Sequence, residues 1–239
     1  MTRPKCRTPP KKTFWWVKPL GVFSAPYIYM RFLDLFSGTH SVGNIANEMG
    51  FDVVSLDLQD ATISVDVMEW DYTSFPVGYF DLIWCSPPCD TFSCAKRSNI
   101  GRYGITRETI EQDIQTKGLP LLRKTEEIIN YFKPTYYFIE NPATGAMKNF
   151  LDLPCYTVDY CMYGFSCRKR TNIWTNLKGF QPKLCNKQCG SFINGKHKIN
   201  AIGGTKTQKG QGGGSNRNCR YRIPEPLINE LFQGCQSRF

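Results

Sequence analysis

Residues 31–58 read RFLDLFSGTHSVGNIANEMGFDVVSLDL and predict a strand, a turn, a helix and a second strand. The first strand is the apolar run at 32–35. Residues 42–49 then place apolar side chains at helical spacing, and Gly50 is a typical residue for ending a helix. The second strand is the apolar run at 53–58. Strand, helix and strand in this order form the repeating unit of a parallel sheet.

The same alternation continues further along the chain. Strand-like runs occur at 79–85 and 136–139, and a helical pattern covers about 120–132 between them. Strands separated by helices predict an α/β fold with a Rossmann-like, doubly wound and mostly parallel sheet. Sheets of this kind bind ligands at the carboxyl ends of their strands, so the loops after these strands are the expected place of a site.

Charge is distributed unevenly along the 239 residues, which are enough for one well-buried domain with a small appendage. The net formal charge of +10 divides into +6 for residues 1–29, −8 for residues 30–160 and +12 for residues 161–239. Basic ends around an acidic middle indicate that the ends, above all the C-terminal one, contact a polyanion such as nucleic acid. A solvated basic surface is the alternative.

The apolar runs and the cysteines indicate the compartment. No run of 18 apolar residues occurs, so we predict no membrane contact. The 11 cysteines are odd in number and several lie in strand-like runs, which favours reduced thiols. We therefore expect an intracellular protein that is not secreted, in a prokaryotic cytoplasm or in the host cell of a virus.

Four segments are predicted from these patterns. Residues 1–29 form a basic N-terminal extension without a catalytic role, and residues 30–176 form the core that carries the chemistry. Residues 177–218 form a small basic recognition region with a Gly-rich flexible loop at 203–218. Residues 219–239 have an apolar spacing that suits a short helix packing back on the core.

A glycine-containing turn follows the first strand and predicts a nucleoside site. Such a turn lets a nucleoside approach the backbone around Gly38 closely. Nineteen residues later Asp57 ends the second strand, where an acid commonly binds ribose hydroxyls, and Asp66 could accept a hydrogen bond from an adenine amino group. An ordinary strand-to-helix turn is the alternative. His40 stands where a dinucleotide site needs glycine, which favours a cofactor without a pyrophosphate, such as S-adenosylmethionine.

The sequence FDLIWCSPPCDTFS at 80–93 predicts a nucleophile at the end of a strand. The double proline fixes the backbone, and Cys89 follows it in a polar loop. Cysteine is a strong covalent nucleophile when it reaches the thiolate state. The alternative, a buried structural thiol, fits Cys85 better, since that residue lies within the strand.

The next strand ends in FIENPATG and presents Glu140 on the same edge of the predicted sheet. A carboxyl group beside a pyrimidine can hydrogen-bond ring nitrogen 3 and the amino group, so that carbon 6 accepts a thiolate. Glu140 is therefore predicted to be a general acid. A solvated or salt-bridged glutamate is the alternative.

Taken in order, the sequence motifs resemble those of the cytosine carbon-5 DNA methyltransferase family, in particular compact members from phages and large DNA viruses. The similarity spans about residues 31–176. It rests on Asp57 after the second strand and on the motifs LDLFSG at 33–38, SPPCDTFS at 86–93, IENP at 139–142 and YGFSCRKRTNIW at 163–174.

The resemblance implies transfer of a methyl group from S-adenosylmethionine to carbon 5 of a cytosine flipped out of double-stranded DNA. It further implies that Cys89 adds to carbon 6 and that Glu140 protonates the ring. Phe36 would stack near the adenine and Asp57 would hold the ribose. The predicted cofactor-binding residues are Asp34, Phe36, Ser37, Gly38, Asp57, Asp66 and Pro88, and the predicted nucleic-acid-binding residues are Asn141, Arg168, Lys169 and Arg170.

The chain departs from the family pattern at several positions. His40 replaces a glycine, Asp90 replaces the glutamine that usually follows the cysteine, and Pro142 replaces the usual valine. The region after Trp174 is short, so target recognition would depend on a few contacts to phosphates and bases.

The basic motif near residue 169 also departs from the pattern, which is normally a glutamine followed by two spaced arginines. If the preceding Tyr-Gly pair sets the register, Lys169 takes the place of the first arginine and Thr171 that of the second. Arg168 and Arg170 would substitute only after a small shift.

Other functions use some of the same residues. A transfer RNA cytosine methyltransferase would share Cys89 and Glu140. A non-catalytic nucleic-acid-binding protein on a methyltransferase scaffold is disfavoured because both residues are retained, and an amino-methyltransferase usually has an aromatic residue where Cys89 stands. We expect a monomer, and a restriction endonuclease partner stays open.

The cysteines of the C-terminal region raise the question of a metal. Cys185, Cys189 and His197, with Cys219 as a possible fourth ligand, are residue types that hold tetrahedral zinc. Their irregular spacing favours loosely packed thiols, so no metal site is predicted.

Overall fold

The computed structural model describes residues 30–197, 199–200 and 221–236. The helices are α1 Ser41–Glu48, α2 Cys94–Arg97, α3 Arg107–Asp113, α4 Leu119–Phe132 and α5 Glu225–Gln236. A π-helical turn, Ile114–Gly118, joins α3 to α4. The strands are β1 Arg31–Leu35, β2 Asp52–Asp57, β3 Ile63–Ser64, β4 Leu82–Cys85, β5 Tyr136–Pro142, β6 Cys155–Asp159, β7 Cys167–Arg168, β8 Arg170–Thr175, β9 Phe192–Ile193, β10 Lys196–His197 and β11 Ile199–Asn200.

Seven strands form the central sheet in the order β3-β2-β1-β4-β5-β8-β6. The first five are parallel, and β8 runs antiparallel to both β5 and β6. The predicted α/β fold with a mostly parallel sheet is thereby confirmed. The chain order reverses between β1 and β4, and such a switch point leaves a crevice at the carboxyl ends of the two strands.

The core has two layers because successive side chains of a strand point to opposite faces of the sheet. Phe32 of β1 points to one face and packs edge-on against Phe232 of α5, with ring centroids 5.5 Å apart. Leu33 and Leu35 point to the other face, where Phe132 of α4 is fully buried. Both layers therefore hold β1 and β4 rigidly, and these are the strands that flank the crevice.

The observed boundaries refine the predicted ones. The strand predicted at 79–85 begins only at Leu82, since Gly78 and the residues after it form a turn that brings buried Phe80 into the core. The four-segment division stays a prediction. Its extension 1–29 and its loop 203–218 lie outside the described residues.

In the part of the chain that the structure describes, no helix combines the length and the apolar character needed to cross a membrane.

Candidate active site

A cleft opens at the switch point between β1 and β4. Its cavity volume is about 120 Å³, and the cleft is partly open to solvent. It is lined by Asp34, Phe36, Ser37, Gly38, Ser41, Val42, Ser86, Pro87, Pro88, Cys89, Glu140, Asn141, Pro142, Lys169, Tyr221 and Ile223. Nine of the predicted site residues thus line one cleft: Asp34, Phe36, Ser37, Gly38, Pro88, Cys89, Glu140, Asn141 and Lys169.

The loop that carries Cys89 is fixed at two points, one in β5 and one in the segment after it. The side-chain amide of Asn141 donates a hydrogen bond to the carbonyl of Pro87 over 2.9 Å, and Asn141 is only 1% exposed. The backbone N–H of Ala146 donates to the carbonyl of Phe92, also over 2.9 Å. Cys89 is half-buried between these anchors. Its position relative to Glu140 is therefore set by the fold and does not depend on a mobile loop.

The pKa of the Cys89 thiol is raised above its ordinary value. Burial is the largest cause, because it disfavours the thiolate, and the negative charge of Glu140 adds to it. The ammonium group of Lys169 acts in the opposite direction. Cys89 is therefore mostly a protonated thiol at neutral pH in the free protein, and its nucleophilicity depends on the charges around it.

Glu140 is 6% exposed and accepts two hydrogen bonds at the same oxygen. The hydroxyl of Tyr160 donates to Oε1 over 3.0 Å and Nζ of Lys169 over 3.2 Å. Nζ of Lys169 also lies 4.9 Å from the centre of the Tyr160 ring. A buried ion pair with these extra contacts holds the carboxyl group in one orientation, facing the cleft.

Lys169 enters the cleft because of strand alternation. It lies between β7 and β8, and successive side chains of an extended chain point to opposite sides. The side chains of Arg168 and Arg170 therefore point away from the side to which Lys169 points. Arg168 and Arg170 both pair with Asp159, with Nε–Oδ1 distances of 3.3 and 3.0 Å. Of the three basic residues at 168–170, Lys169 is the one that lines the cleft, and its correspondence to the first arginine of the family motif stays a prediction.

The other end of the cleft offers groups suited to a nucleoside. Asp57 accepts hydrogen bonds from the backbone N–H of Gly38 over 2.8 Å and of Leu58 over 2.7 Å, which ties the two loops together. The hydroxyl of Ser37 is buried and has no hydrogen-bond partner among the described residues. Phe36 offers an aromatic ring at the cleft wall. Phe36 and Ser37 thus give this end of the cleft an aromatic ring and a hydroxyl group, while Asp57 holds the turn that carries them.

The turn in this region is strained at two side-chain-bearing residues. Phe36 has a φ of 60° and His40 a φ of 55°, both in the left-handed region. The second value explains why glycine is usual where His40 stands, since only glycine adopts this conformation without cost. Backbone strain held by the surrounding structure is common at ligand sites.

Asp34 lies at the base of the cleft and is 2% exposed. Burial is the largest cause that raises its pKa to about 7. The backbone N–H of Gly43 donates a hydrogen bond to the carboxylate over 3.1 Å and acts in the opposite direction, lowering the pKa. The charge of Asp57 raises the pKa further. Asp34 is therefore close to half-ionised at neutral pH.

Several predicted site residues lie outside the cleft or have a side chain engaged with another part of the chain. Asp57 accepts a hydrogen bond from Gly38 of the turn, and exposed Asp66 accepts one from the N–H of Met68. Neither residue is among the described residues that line the cleft. Arg168 and Arg170 are held by Asp159 on the opposite side of the strand. Asn141 lines the cleft but is buried, and its nitrogen is engaged with Pro87. Roles for these residues in binding cofactor or nucleic acid stay predictions.

Sequence reasoning missed two residues. Tyr160, the second partner of Glu140, follows β6 at the edge of the sheet, and its only sequence signal is an apolar run that predicts core. Cys161, its neighbour, lies with Cys185, Cys189 and His197 in a group whose possible ligand atoms are all within 4.8 Å of one another.

That group contains three of the four residues that the sequence named as possible zinc ligands, and their binding of a metal stays untested. The spacing of cysteines in the sequence does not reveal this group, because Cys161 precedes the other three residues by more than twenty positions and comes from the core. Cys219, named from the sequence as a further ligand, lies outside the described residues.

Comparisons with known proteins identify the family. No model of a known protein family matches the sequence. A probable DNA (cytosine-5)-methyltransferase of Frog virus 3 (isolate Goorha) is 44% identical over 218 residues, which cover 86% of this chain and all of the relative.

Among solved structures, a "putative DNA modification methyltransferase" encoded within a prophage of E. coli aligns with a TM-score of 0.41 and 16% identity. The alignment covers 64% of this chain and 51% of that one. The full-length viral relative is the comparison that decides the assignment: this chain belongs to the DNA (cytosine-5)-methyltransferase family.

Proposed function

We propose that the protein transfers a methyl group from S-adenosylmethionine to carbon 5 of a cytosine in double-stranded DNA, through a covalent adduct with Cys89. The observation that carries the proposal is the cleft in which Cys89, Glu140 and Lys169 meet, in a chain that matches the viral relative over its whole length.

The groups at the switch point fit the cofactor. Phe36 would stack on the adenine, the free hydroxyl of Ser37 would hydrogen-bond the bound molecule, and Asp57 would lie near the ribose. The chemistry supplied by S-adenosylmethionine, when it is bound, is an electrophilic methyl group. The incomplete glycine pattern at His40 agrees with a cofactor that has no pyrophosphate.

The first step belongs to Cys89 and Glu140. The Cys89 thiol gives its proton to solvent, and the sulfur forms a bond to carbon 6 of the cytosine. Glu140, which takes up a proton from solvent when the base enters the cleft, gives that proton to ring nitrogen 3. The electron pair of the 5,6 double bond then lies at carbon 5, which becomes the nucleophile that takes the methyl group. Tyr160 and Lys169 keep the Glu140 carboxyl group oriented for this transfer.

The second step regenerates the enzyme. Carbon 5 loses its proton to a solvent base, the 5,6 double bond re-forms, and the bond between carbon 6 and sulfur breaks with its electron pair returning to Cys89. Glu140 takes back the proton from nitrogen 3 and releases it to solvent, and Cys89 takes up a proton from solvent, so that both residues end as they began.

Lys169 would serve the thiolate as well as the acid. Its ammonium group lowers the pKa of Cys89, which burial and Glu140 raise. While Glu140 carries a proton, its negative charge is absent and the positive charge of Lys169 acts on the sulfur. A lysine can supply this charge where relatives use arginine, because the interaction with Glu140 involves a single oxygen.

The cytosine must leave the base stack to reach Cys89, because that residue lies inside the cleft. The basic character of the C-terminal third favours a polyanionic substrate of this kind. Contacts from Arg168 and Arg170 to phosphate are part of the proposal, since about two fifths of each side chain remains exposed beside Asp159.

The test uses purified full-length protein, tritiated S-adenosylmethionine and cytosine-containing duplex DNA. We expect tritium in the DNA, and Cys89→Ser should reduce the rate at least about 1,000-fold because the covalent step is lost. Cys155→Ser is the matched control, since Cys155 is an exposed, unpaired thiol outside the cleft and should leave the rate unchanged.

Two further measurements distinguish the parts of the proposal. Duplex DNA with 5-fluorocytosine should trap a covalent complex, because fluorine cannot leave carbon 5 as a proton does. Full activity of Cys89→Ser would contradict the covalent route, and labelling of RNA in place of DNA would contradict the substrate assignment.

A further inference from the structure

A compact group of metal-binding side chains lies outside the proposed active site. Cys161 comes from the 3-10 helix Tyr160–Tyr163 that follows β6, while Cys185, Cys189 and His197 come from the segment after β8. Cys161 and Cys189 are buried and the other two are half-buried. Three thiols and an imidazole form one of the common donor sets of structural zinc.

The separations between the ligand atoms match a tetrahedral zinc site. With Zn–S of about 2.3 Å and Zn–N of about 2.0 Å, tetrahedral geometry places two sulfurs about 3.8 Å apart and sulfur and nitrogen about 3.5 Å apart. The Sγ atoms of Cys185 and Cys189 are 3.6 Å apart, and Nε2 of His197 lies 3.4 and 3.3 Å from them. The Sγ atom of Cys161 lies within 4.8 Å of each of the other three ligand atoms.

Local structure presents each ligand to the same point. β9 and β10 form a hairpin through Asn194 and Gly195, both with positive φ, as a two-residue type I′ turn requires. The hairpin pairs His197 with Phe192, whose ring contacts the imidazole edge-on at 5.2 Å. The imidazole is therefore held with Nε2 towards the sulfurs.

The first cysteine of the C-x3-C pair sits in a turn that suits a thiolate. The backbone N–H of Lys187 donates to Sγ of Cys185 over 3.3 Å, with Lys187 at a φ of 71°. The N–H of Cys185 donates to Asp159 over 2.8 Å. Hydrogen bonds from backbone amides to a ligating sulfur, and a fixed carboxylate behind it, are typical outer contacts of metal sites.

The charges around the group also balance when a divalent cation is present. Zn²⁺ with three thiolates and a neutral imidazole carries a net charge of −1, and Asp159 adds another −1. Arg168 and Arg170, both paired with Asp159, contribute +2. The local sum is zero, which suits a partly buried cluster.

We infer that Cys161, Cys185, Cys189 and His197 bind one structural zinc ion that fastens the segment after β8 to the core. Binding would release the thiol protons to solvent and involve no change of oxidation state. The site is separate from the proposed methyl transfer and does not depend on it.

The test is the metal content of the full chain, purified without chelators and in the presence of a reductant. We expect about one zinc per chain. Replacement by Co²⁺ should add the visible bands of tetrahedral cobalt and sulfur-to-cobalt charge-transfer absorption. Cys185→Ser and Cys161→Ser should each weaken zinc binding at least about 100-fold.

Two variants act as controls. His197→Cys keeps four donors and should retain zinc, whereas Cys155→Ser removes an exposed thiol outside the group and should bind zinc like the unaltered protein. If the serine variants do not fold, the stoichiometry and the cobalt spectrum of the unaltered protein decide alone. Protein with less than about a tenth of a zinc per chain after incubation with Zn²⁺, or a Cys185–Cys189 disulfide in reductant, would overturn the inference.

Discussion

Glu140 and Lys169 act on the same sulfur with opposite signs. The carboxylate of Glu140 raises the pKa of Cys89 and the ammonium group of Lys169 lowers it, while burial provides the larger constant effect. The reactivity of Cys89 is thus set by a balance that single substitutions can shift in either direction. This makes the two roles of Glu140, as acid and as neighbour of the thiol, experimentally separable.

We predict that Glu140→Gln abolishes methyl transfer but makes Cys89 more reactive towards iodoacetamide. Removing the negative charge lowers the thiol pKa, so alkylation at pH 7.5 should be about 3- to 10-fold faster, and the pH profile should move to lower pH. Lys169→Met should move the profile the other way. Peptide mass spectrometry gives the rate at Cys89 itself.

Cys155 is the internal reference for this measurement, since the same digest reports its alkylation and it lies outside the cleft. An unchanged alkylation rate at Cys89 in both variants would show that neither charge reaches the sulfur.

The elements around Cys89 act as a rigid support. The loop after β4 is bonded to β5 and to the segment after it, and on its other side it meets the π-helical turn Ile114–Gly118. A Cβ atom on Gly118 would lie 2.5 Å from Oγ1 of Thr91 and 2.8 Å from Cζ of Phe92. Both side chains are buried, so they have no free space into which to move.

Gly118→Ala should therefore displace the Cys89 loop. We expect a loss of stability of about 1–3 kcal/mol from overpacking and a fall in kcat of about 10- to 100-fold from misplacement of the nucleophile. Denaturant unfolding and methyl transfer at saturating cofactor and DNA measure the two effects. A fall in stability with normal kcat would mean that the turn does not position Cys89.

Gly234→Ala provides the matched control. Gly234 lies in α5, and an added Cβ would be 3.4 Å from a methyl group of Leu177, which is ordinary contact. Since alanine favours helix more than glycine does, this variant should keep its kcat and be as stable as the unaltered protein or slightly more stable.

Sequence periodicity predicted the elements that build the cleft, because strands β1, β4 and β5 are parallel and apolar and end on the same edge. The sequence pattern therefore predicted that Cys89 and Glu140 lie close together. Sequence periodicity did not predict the positions of Tyr160 and Cys161. Both positions depend on the antiparallel pairing of β6 with β8, in which Asp159 lies opposite Arg170. Register of this kind is fixed by tertiary packing and leaves no pattern in one strand alone.

For the whole molecule, the distribution of charge separates catalysis from DNA attraction. Most of the residues that line the proposed cleft belong to the acidic part of the chain, whereas residues 1–29 and 161–239 carry +6 and +12. Attraction to the phosphate backbone depends on how many cations contact it and weakens as salt rises. Charges that take no part in the chemical step should therefore affect binding of DNA and leave that step unchanged.

We predict that replacing the six basic residues of 1–29 by glutamine lowers DNA affinity and flattens its salt dependence. The slope of log K against log salt should become shallower by up to about 5, because each contacted phosphate contributes about 0.9. At saturating DNA and low salt, kcat should be that of the unaltered protein. Fluorescence anisotropy over a salt series and single-turnover methylation measure the two quantities.

An unchanged slope would show that the basic N-terminal segment does not contact DNA. A large fall in kcat would show that this segment contributes to the chemistry that we assign to Cys89 and Glu140.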